Sequence, residues 1–314
     1  MSGEEEKGMS LIEKGQPVDV YMHGQVLGTH CFRMRGGFPV EDEYSEIDEK
    51  TFLPGGETGT AATVLASLGV SVRLAGTHIG TEVAPMLRRF YAGKPVDLSS
   101  LFFDSEYPGL MDYVIVSGLS RTPMGMFQQL YEKGIKRWNM PEEEDIVSCR
   151  AAGIDPFFQE ETQRAAELCV KHGKPYVTID CPHDTYLHRH AAINVVSKEC
   201  MGGYYKDTPK EEAFRLLCEN TDGLVIITSG ENAMWWGRKG QEKHCTMPFS
   251  VEVKSTLGAG DTFKAGCLYA LLQGMSDEET VRFASACSAI AVSRFPLPLY
   301  PPRLSEVTEI MKRG

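Results

Sequence analysis

The chain contains 314 residues, which is enough for one large α/β domain with an appendage or for two modest domains. Its apolar content of 42% and charged content of 24% are ordinary for a water-soluble globular protein, and the formal charge of −11 argues against nucleic acid or an anionic membrane as a partner. No apolar run approaches the ~20 residues of a membrane span. The nine cysteines include no C-x-x-C pair, so we expect reduced thiols and a cytoplasmic location.

The first part of the chain is predicted to contain a leader followed by extended structure. Residues 1–17 begin with an acidic, polar run, and we expect a flexible leader there rather than a signal peptide. Residues 18–27 have the apolar pattern of a buried strand that enters a glycine turn. Residues 31–54 mix extended residues with an acidic run and show no helical period, which is compatible with a surface hairpin.

A pair of glycines opens the next segment. Gly55 and Gly56 begin the string G-G-E-T-G-T-A-A, and a helix of small residues is predicted over 61–68, followed by a strand over 70–75. The double glycine permits hinge motion, and a simple tight turn is the alternative interpretation. Short strands are then predicted over 101–103 and 113–117.

From residue 151 onwards, strands alternate with helices. The strands are predicted over 175–180, 193–197 and 223–228, and the helices over 160–172 and 210–220. This alternation predicts a parallel sheet with helices on both faces, and such sheets bind ligands at the carboxyl ends of their strands. Because Asp180, Thr228, Gly230 and Asp261 fall at such ends, we expect them to share one cleft.

The most informative stretch is S-T-L-G-A-G-D-T-F, at residues 255–263. It follows a β-like run at 251–253 and precedes a helical run that ends at Gly274. Two glycines let the backbone approach a ligand closely, and the first amides of a helix bind anions such as phosphate. Asp261 lies at the mouth of this site, where a carboxylate can act as general base for a hydroxyl nucleophile. A capped helix start without a ligand is the alternative.

The string T-L-G-A-G-D-T-F resembles the C-terminal signature of the PfkB (ribokinase-like) carbohydrate kinases, and among them most closely that of the ketohexokinase-type members. The resemblance implies an α/β, three-layer sandwich with a mostly parallel central sheet and a small β lid. It implies one kinase domain over residues 18–314, with lid segments at about 29–54 and 100–122. It also implies that the amides of Gly258, Ala259 and Gly260 form an anion hole and that Asp261 deprotonates the sugar hydroxyl.

The same resemblance assigns residues to the nucleotide. Thr228 and Gly230 stand in a T-S-G sequence similar to the family's Thr-Leu-Gly loop near the phosphates, and Thr256 is placed with them. Ser197 and Glu199 occupy the position of the family's Asn-x-x-Glu motif, which helps to position magnesium. The implied cofactors are ATP and Mg²⁺, and no residue is assigned as a dedicated metal ligand. An ordinary turn and a surface Lys-Glu pair are the alternatives for these two motifs.

For the substrate, the resemblance points to Gly55, Gly56, Thr60, Thr29 and Arg121. Two of these depart from the family, which has Asp where Thr29 stands and Asn where Thr60 stands. Because threonine offers one neutral hydroxyl, we expect a pocket without the family's carboxylate that favours a modified or acidic sugar. Arg121 has a solvated surface side chain as its alternative.

His30, Arg33 and Arg35 are alternative groups for gripping the substrate. The family also places an Asp at the position of Ser255, where it helps to hold a monovalent cation, so we expect weak or absent potassium activation.

The sequence therefore predicts an ATP-dependent kinase that phosphorylates a hydroxyl of a sugar or sugar-like small molecule. No G-x-x-x-x-G-K-[ST] or early G-x-G-x-x-G string is present, which disfavours a P-loop kinase and a Rossmann dehydrogenase. A non-catalytic sensor on the same fold and a nucleoside kinase are the alternatives, and the resemblance allows a homodimer through the lid.

Overall fold

The computed structural model describes residues 15–313, so that residues 1–14 of the expected leader lie outside the described residues. The strands, in chain order, are β1 Val18–Gly24, β2 Leu27–Met34, β3 Ile47–Gly55, β4 Val72–Gly76, β5 Ile79–Gly80, β6 Val96–Ser100, β7 Phe103–Asp104, β8 Met111–Ser117, β9 Ser120–Gly125, β10 Cys149–Ile154, β11 Tyr176–Ile179, β12 Ile193–Val196, β13 Leu224–Ile227, β14 Met234–Gly237 and β15 His244–Thr246.

The α-helices, in chain order, are α1 Gly56–Ser67, α2 Val83–Tyr91, α3 Phe127–Glu132, α4 Glu143–Val147, α5 Glu160–Lys171, α6 Tyr186–His190, α7 Lys198–Gly203, α8 Lys210–Glu219, α9 Ala259–Gln273, α10 Asp277–Val292 and α11 Leu304–Lys312. A short 3₁₀ helix covers Leu297–Leu299.

A nine-stranded sheet forms the middle layer, in the order β15-β14-β13-β12-β11-β10-β1-β4-β6. The strands from β13 to β6 run parallel, and β14 and β15 continue the sheet antiparallel. In β13, Leu224 and Ile226 face one apolar core, while Val225 and Ile227 face another. Successive side chains of a strand point to opposite faces, so a continuous apolar run requires helices on both sides of the sheet.

The helices supply both outer layers. Helices α1, α2, α9, α10 and α11 contribute to the largest apolar core on one face, and α4, α5, α6 and α8 cover the other face. The predicted helices over 160–172 and 210–220 agree closely with α5 and α8. A capping box of Ser276 and Glu279 begins α10, because each residue bonds the other's backbone N–H.

A separate sheet of four strands, hereafter the small sheet, has the order β3-β2-β8-β9. Strands β2 and β3 pair antiparallel, β2 and β8 pair parallel, and β8 and β9 form a hairpin. The small sheet thus comprises residues 27–55 and 111–125, close to the expected lid segments. Residues 100–110 lie outside it, in the end of β6, in β7 and in the loops around them.

Three expectations about element bounds are wrong. The first strand ends at Gly24, and residues 27–34 form a second strand in the small sheet. Helix α1 begins at Gly56 rather than at residue 61, because its first turns are buried although their Gly and Thr residues are poor helix formers. Residues 251–253 belong to no strand and instead help to line a cavity. Within residues 15–313, no helix has the length and apolarity that a membrane crossing requires.

Candidate active site

One cavity of about 1200 Å³ lies between the carboxyl ends of the parallel strands and the small sheet. It is large enough for two ligands side by side. All residues that the resemblance assigned to catalysis, the nucleotide or the substrate line it: Thr29, Gly55, Gly56, Thr60, Arg121, Ser197, Glu199, Thr228, Gly230, Thr256, Gly258, Ala259, Gly260 and Asp261. Asp180 lines it as well, so the expected shared cleft at the strand ends is confirmed.

The start of helix α9 forms one wall of the cavity. Gly258 is its N-cap, with φ of +77°, a conformation that L side chains rarely adopt. An added Cβ there would lie 2.6 Å from Leu297 Cδ2 and 3.1 Å from Thr60 Cγ2. The Ala259 amide donates to the Thr256 carbonyl at 3.3 Å. Because the first turn of a helix presents amides at its positive end, this wall can receive an anion.

Asp261 stands in that first turn beside a group of buried charges. Lys264 lies one turn further along α9, where its ammonium forms a fully buried ion pair with Asp155 after β10. Thr58 in α1 donates a hydrogen bond to the other Asp155 oxygen at 2.5 Å. Asp155 therefore joins the start of α9 to the start of α1 and to the end of β10. Hereafter Glu57, Asp155, Asp261 and Lys264 are the buried cluster.

Two carboxyls of the buried cluster, those of Glu57 and Asp261, hold protons more tightly than usual. Burial, and then the charge of Glu57, raise the pKa of Asp261 well above its ordinary value, while Lys264 opposes the rise. Burial, and then Asp155, raise the pKa of Glu57 to about 7. A carboxylate whose proton affinity lies nearer to neutrality is a better general base than an ordinary one. Lys264 in turn has its pKa lowered by burial but raised more strongly by Asp155 and Asp261.

The inner face of the small sheet forms the opposite wall. Thr29 of β2 lies across the strand pair from Asp112 of β8, and both line the cavity. Gly55 has no side chain where one would overlap the Thr29 hydroxyl. The expectation of a pocket without a carboxylate is therefore wrong, because the neighbouring strand supplies one at Asp112. Sequence reasoning missed it because strand register is not visible in a single chain.

The alternative gripping groups face elsewhere. His30 stacks between Phe52 and Tyr113, with ring centroids 4.2 and 5.2 Å away. The Arg33 guanidinium lies 3.9 Å from the centre of the Phe295 ring. Among the described residues that line the cavity, neither His30, Arg33 nor Arg35 is found.

Arg121 of β9 connects the small sheet to the main body. Its guanidinium lies 3.6 Å from the Glu199 carboxylate, and its Nε donates to the Thr256 carbonyl at 3.4 Å. Ser197 has a structural role, since it caps α7 and hydrogen-bonds Asp180 at 2.9 Å. The two residues at the Asn-x-x-Glu position therefore differ. Glu199 forms an ion pair with Arg121, whereas the Ser197 hydroxyl is occupied by hydrogen bonds to Asp180 and to the start of α7.

The wall formed by helix α10 and the following loop suits a flat heteroaromatic base. Phe249, Ala289, Val292 and Leu297 present apolar atoms to the cavity. Ser285 beside them has a buried hydroxyl without a hydrogen-bond partner among the described residues. Apolar walls with one free polar group are the usual lining for a nucleobase. Among residues 15–313, no group of three or more His, Cys, Asp or Glu side chains is arranged to hold a metal ion.

Comparison with known proteins decides the family. The model of the pfkB family of carbohydrate kinases matches residues 24–296. The chain belongs to this family. Among curated relatives, 1-phosphofructokinase of Escherichia coli (strain K12) is 42% identical over 84 residues, which are 26% of this chain and 26% of the relative. The chain thus spans about a quarter of the length of the 1-phosphofructokinase that it matches.

Another pfkB relative is similar over almost the whole chain. The 5-dehydro-2-deoxygluconokinase of Halalkalibacterium halodurans is 26% identical over 322 residues, covering 99% of this chain and 88% of the relative. Likeness to ketohexokinases in particular stays a prediction.

Solved structures show the same ribokinase-like fold. A candidate ribokinase from Agrobacterium tumefaciens superposes with a TM-score of 0.83 at 20% identity, covering 95% of this chain and 98% of the other. The Arabidopsis thaliana ribokinase, complexed with ribose and ATP, gives a TM-score of 0.76 at 18% identity and covers 95% of this chain and 99% of its own. The three layers and the small sheet are therefore features of the fold that the sequence predicted.

Four residues in or beside the cavity were not assigned from the sequence: Glu57, Asp112, Asp155 and Lys264. Glu57 lies inside the G-G-E-T-G-T string, and Lys264 lies three residues after Asp261 in the predicted helix. Their positions next to these two motifs could have identified them as candidates. Asp155 directly follows β10, at the carboxyl end of a parallel strand. Asp112 had no local signal, because its place in the cavity depends on the pairing of β8 with β2.

Proposed function

We propose that this protein is an ATP-dependent kinase that phosphorylates a hydroxyl of a sugar or sugar-like small molecule. The observation that carries the proposal is the position of Asp261. It lies in the first turn of α9, beside the amides that can receive a phosphate, on a cavity that it shares with the small sheet. A non-catalytic sensor has no use for a buried carboxyl of raised proton affinity at this point.

The residues divide the work of the transfer. Asp261 takes the proton of the attacking hydroxyl as that oxygen bonds to phosphorus, and the amides at the start of α9 stabilise the charge on the phosphoryl oxygens. ATP, accompanied by Mg²⁺, would supply the phosphoryl group; the bond between its γ-phosphorus and the β,γ-bridging oxygen would break, and ADP would leave with the charge on that oxygen. Thr228, Gly230 and the α10 wall hold the nucleotide, while Thr29, Thr60 and the glycine pair border the acceptor.

The small sheet acts as a lid over the acceptor. Its support is the ion pair of Arg121 with Glu199, which joins β9 to α7 across the cavity. Closure of such a lid excludes water and so limits ATP hydrolysis. The expected lid segments at residues 29–54 and 100–122 are accordingly revised to 27–55 and 111–125.

The outer face of the small sheet is our candidate for a homodimer contact. Ile47, Tyr113 and Met124 are exposed there, with 45, 38 and 44% of their surface accessible. Exposed apolar side chains on one face of a sheet favour association with a second copy. Light scattering coupled to size exclusion checks this, and a Tyr113→Glu variant is expected to be monomeric.

We also propose a reducing, cytoplasmic location. The nine cysteines are all free, and seven of them are buried. Burial raises the pKa of thiols such as Cys181, which keeps them in the unreactive protonated form. Thiols of this kind are typical of reducing compartments.

The kinase proposal is tested by ADP release with magnesium-ATP over sugars, sugar acids, polyols and nucleosides. We expect release above the background hydrolysis rate with at least one sugar or polyol, and none with the Asp261→Asn protein. Strongest release with nucleosides would favour the nucleoside kinase instead. Saturable sugar binding without ADP release from any compound would favour the sensor.

A further inference from the structure

The inner face of the small sheet carries polar groups that lack partners. Asp112 of β8 lies opposite Thr29 of β2. Thr51 of β3 lies opposite Cys31, which is two residues after Thr29 in β2 and therefore on the same face of the sheet. Asp112 Oδ1 and Thr51 Oγ1 are buried and have no hydrogen-bond partner among the described residues. Burial of an unpaired polar atom is costly, so these two atoms indicate a ligand that pairs them.

Their chemistry specifies what that ligand offers. A carboxylate oxygen only accepts hydrogen bonds, and a threonine hydroxyl both donates and accepts. The Thr29 hydroxyl is already directed to Asp112, where its hydrogen bond opposes the rise in pKa that burial causes. The ligand must therefore bring a donor to Asp112. Hydroxyl groups of a sugar or polyol are such donors.

Charge at this end of the cavity excludes another class of ligand. Glu57 lies close enough to Asp112 for the two carboxyls to interact, and the charge of Asp112 contributes to the raised pKa of Glu57. Arg121 pairs with Val116, which stands four residues along β8 from Asp112. At ~3.3 Å per residue, the backbone positions of Arg121 and Asp112 are about 13 Å apart along the sheet.

Arg121 is in addition committed to the opposite side of the cavity, where it contacts Glu199 and the Thr256 carbonyl. It therefore does not neutralise the carboxyls at the Asp112 end. A carboxylate or phosphate on the substrate would meet Asp112 and Glu57 there, and Lys264, the cation that acts on Glu57, is already paired with Asp155.

We infer that Asp112 is a specificity-determining residue that, with Thr29 and Thr51, binds the hydroxyls of an uncharged polyhydroxylated substrate and excludes sugar acids and sugar phosphates. The inference rests on the proposed kinase function and names the substrate class of the same cavity. It replaces the acidic sugar expected from sequence, since that expectation depended on a pocket without a carboxylate. In this inference, Asp112 of β8 accepts the hydrogen bonds from substrate hydroxyls that, by the resemblance, an Asp at the position of Thr29 would accept.

The test compares neutral with anionic acceptors on two variants. The neutral probes are D-fructose, D-ribose, D-glucose and myo-inositol, and the anionic probes are D-gluconate and fructose 1-phosphate. ADP release gives kcat and KM, and thermal stabilisation by each probe without ATP gives a binding readout that does not depend on turnover. The variants are Asp112→Asn and, as matched control, Asp48→Asn. Asp48 is a small-sheet carboxylate that pairs with Arg35 outside the cavity.

For the best neutral probe, Asp112→Asn is expected to raise KM by about 10- to 100-fold, the effect of one lost charged hydrogen bond, with kcat changed less than about threefold. The control is expected to match the unmodified protein. The double variant Thr29→Asp/Asp112→Thr returns the carboxylate to β2 and is expected to recover at least about tenfold of the loss. A merely structural role for Asp112 would not produce this rescue.

Three results would overturn the inference. The first is an unchanged KM in Asp112→Asn. The second is a kcat/KM for either anionic probe that is at least tenfold higher than the kcat/KM of every neutral probe. The third is an absence of thermal stabilisation by all neutral probes at 50 mM, which is about 50 times a typical upper KM. Failure of the kinase proposal looks different. There, a neutral probe stabilises the unmodified protein but not Asp112→Asn, while neither protein releases ADP.

Discussion

The two walls of the cavity are both acidic, yet they are built in different ways. At the transfer end, which comprises Gly258 to Asp261 and the buried cluster, the carboxyls are backed by the ammonium of Lys264. At the lid end, which comprises Thr29, Thr51 and Asp112, the described residues place no cation beside the single carboxylate and give one of its oxygens no hydrogen-bond partner. The transfer end thus contains a counter-charge of its own, whereas we propose that a ligand supplies the missing partner at the lid end.

This difference separates chemistry from selectivity. In the mechanism that we propose, the transfer end positions a base and an anion hole, which any acceptor hydroxyl can use. The lid end contributes hydrogen-bonding groups that only a complementary acceptor satisfies. Substitutions at the transfer end should therefore act on kcat, while those at the lid end should act on KM.

The largest expected effect is at the transfer end itself. Asp261→Asn keeps the shape of the side chain but removes the base, so we expect kcat to fall by about 10² to 10⁴ with little change in nucleotide affinity. Steady-state ADP release and titration with a nucleotide analogue measure the two quantities. Asp277→Asn is the matched control, because Asp277 also begins a helix but pairs with Arg238 away from the cavity. Turnover within threefold of normal in Asp261→Asn would remove the assignment.

Next in size is the support that Lys264 gives to the transfer end. Lys264→Met leaves Asp155 buried without its cation, and we expect a loss of about 3 to 5 kcal/mol in the free energy of unfolding. The pKa values of Asp261 and Glu57 should rise further, so kcat should reach half its maximum at a higher pH. Urea denaturation and a pH–rate profile measure both.

The double variant Asp155→Asn/Lys264→Met serves as the control for that experiment. It removes both charges of the pair, so it should be more stable than Lys264→Met alone. Equal stability of the single and double variants would contradict the idea that an unpaired Asp155 causes the loss.

A smaller effect is expected at Glu57, which lies between the two walls. Its pKa in the folded protein is about 7, above its ordinary value of 4.5. The stability that the protonated Glu57 side chain contributes is therefore fully present below about pH 4.5, and it is lost as the pH rises through 7. Glu57→Gln does not titrate, and its advantage over the unmodified protein should therefore grow by about 2 to 3 kcal/mol between pH 4.5 and 8. Urea denaturation at both pH values checks this. Parallel stability curves for the two proteins would show that Glu57 is solvated normally.

The smallest effect is expected from potassium. Ser255 is buried before the anion-binding turn, and its hydroxyl accepts a hydrogen bond from the Leu257 amide at 3.3 Å. A neutral hydroxyl with this partner does not compensate for the dehydration of a cation. Replacing a bulky organic cation by potassium at constant ionic strength should change the rate by less than about twofold. A tenfold rise would show that the transfer end is incomplete without a cation.

Sequence reasoning succeeded where the information is local. The alternation of apolar strands and amphipathic helices after residue 151 predicted the parallel sheet, and the run at residues 255–263 predicted the start of α9. It failed at helix α1, because burial overrides the low helix propensity of its Gly and Thr residues. It also missed β14 and β15, whose short antiparallel pairing has little periodicity.

The sequence by itself determined the family, the fold and the position of the transfer end, because Gly258 to Asp261 are neighbouring residues of one helix start. Only the tertiary structure decided the lid end. There, Thr51, Thr29 and Asp112 come from three strands that the chain visits at widely separated points, and the register of β2 with β8 sets Asp112 opposite Thr29. A shift of one residue in that pairing would turn the Asp112 side chain to the other face of the sheet.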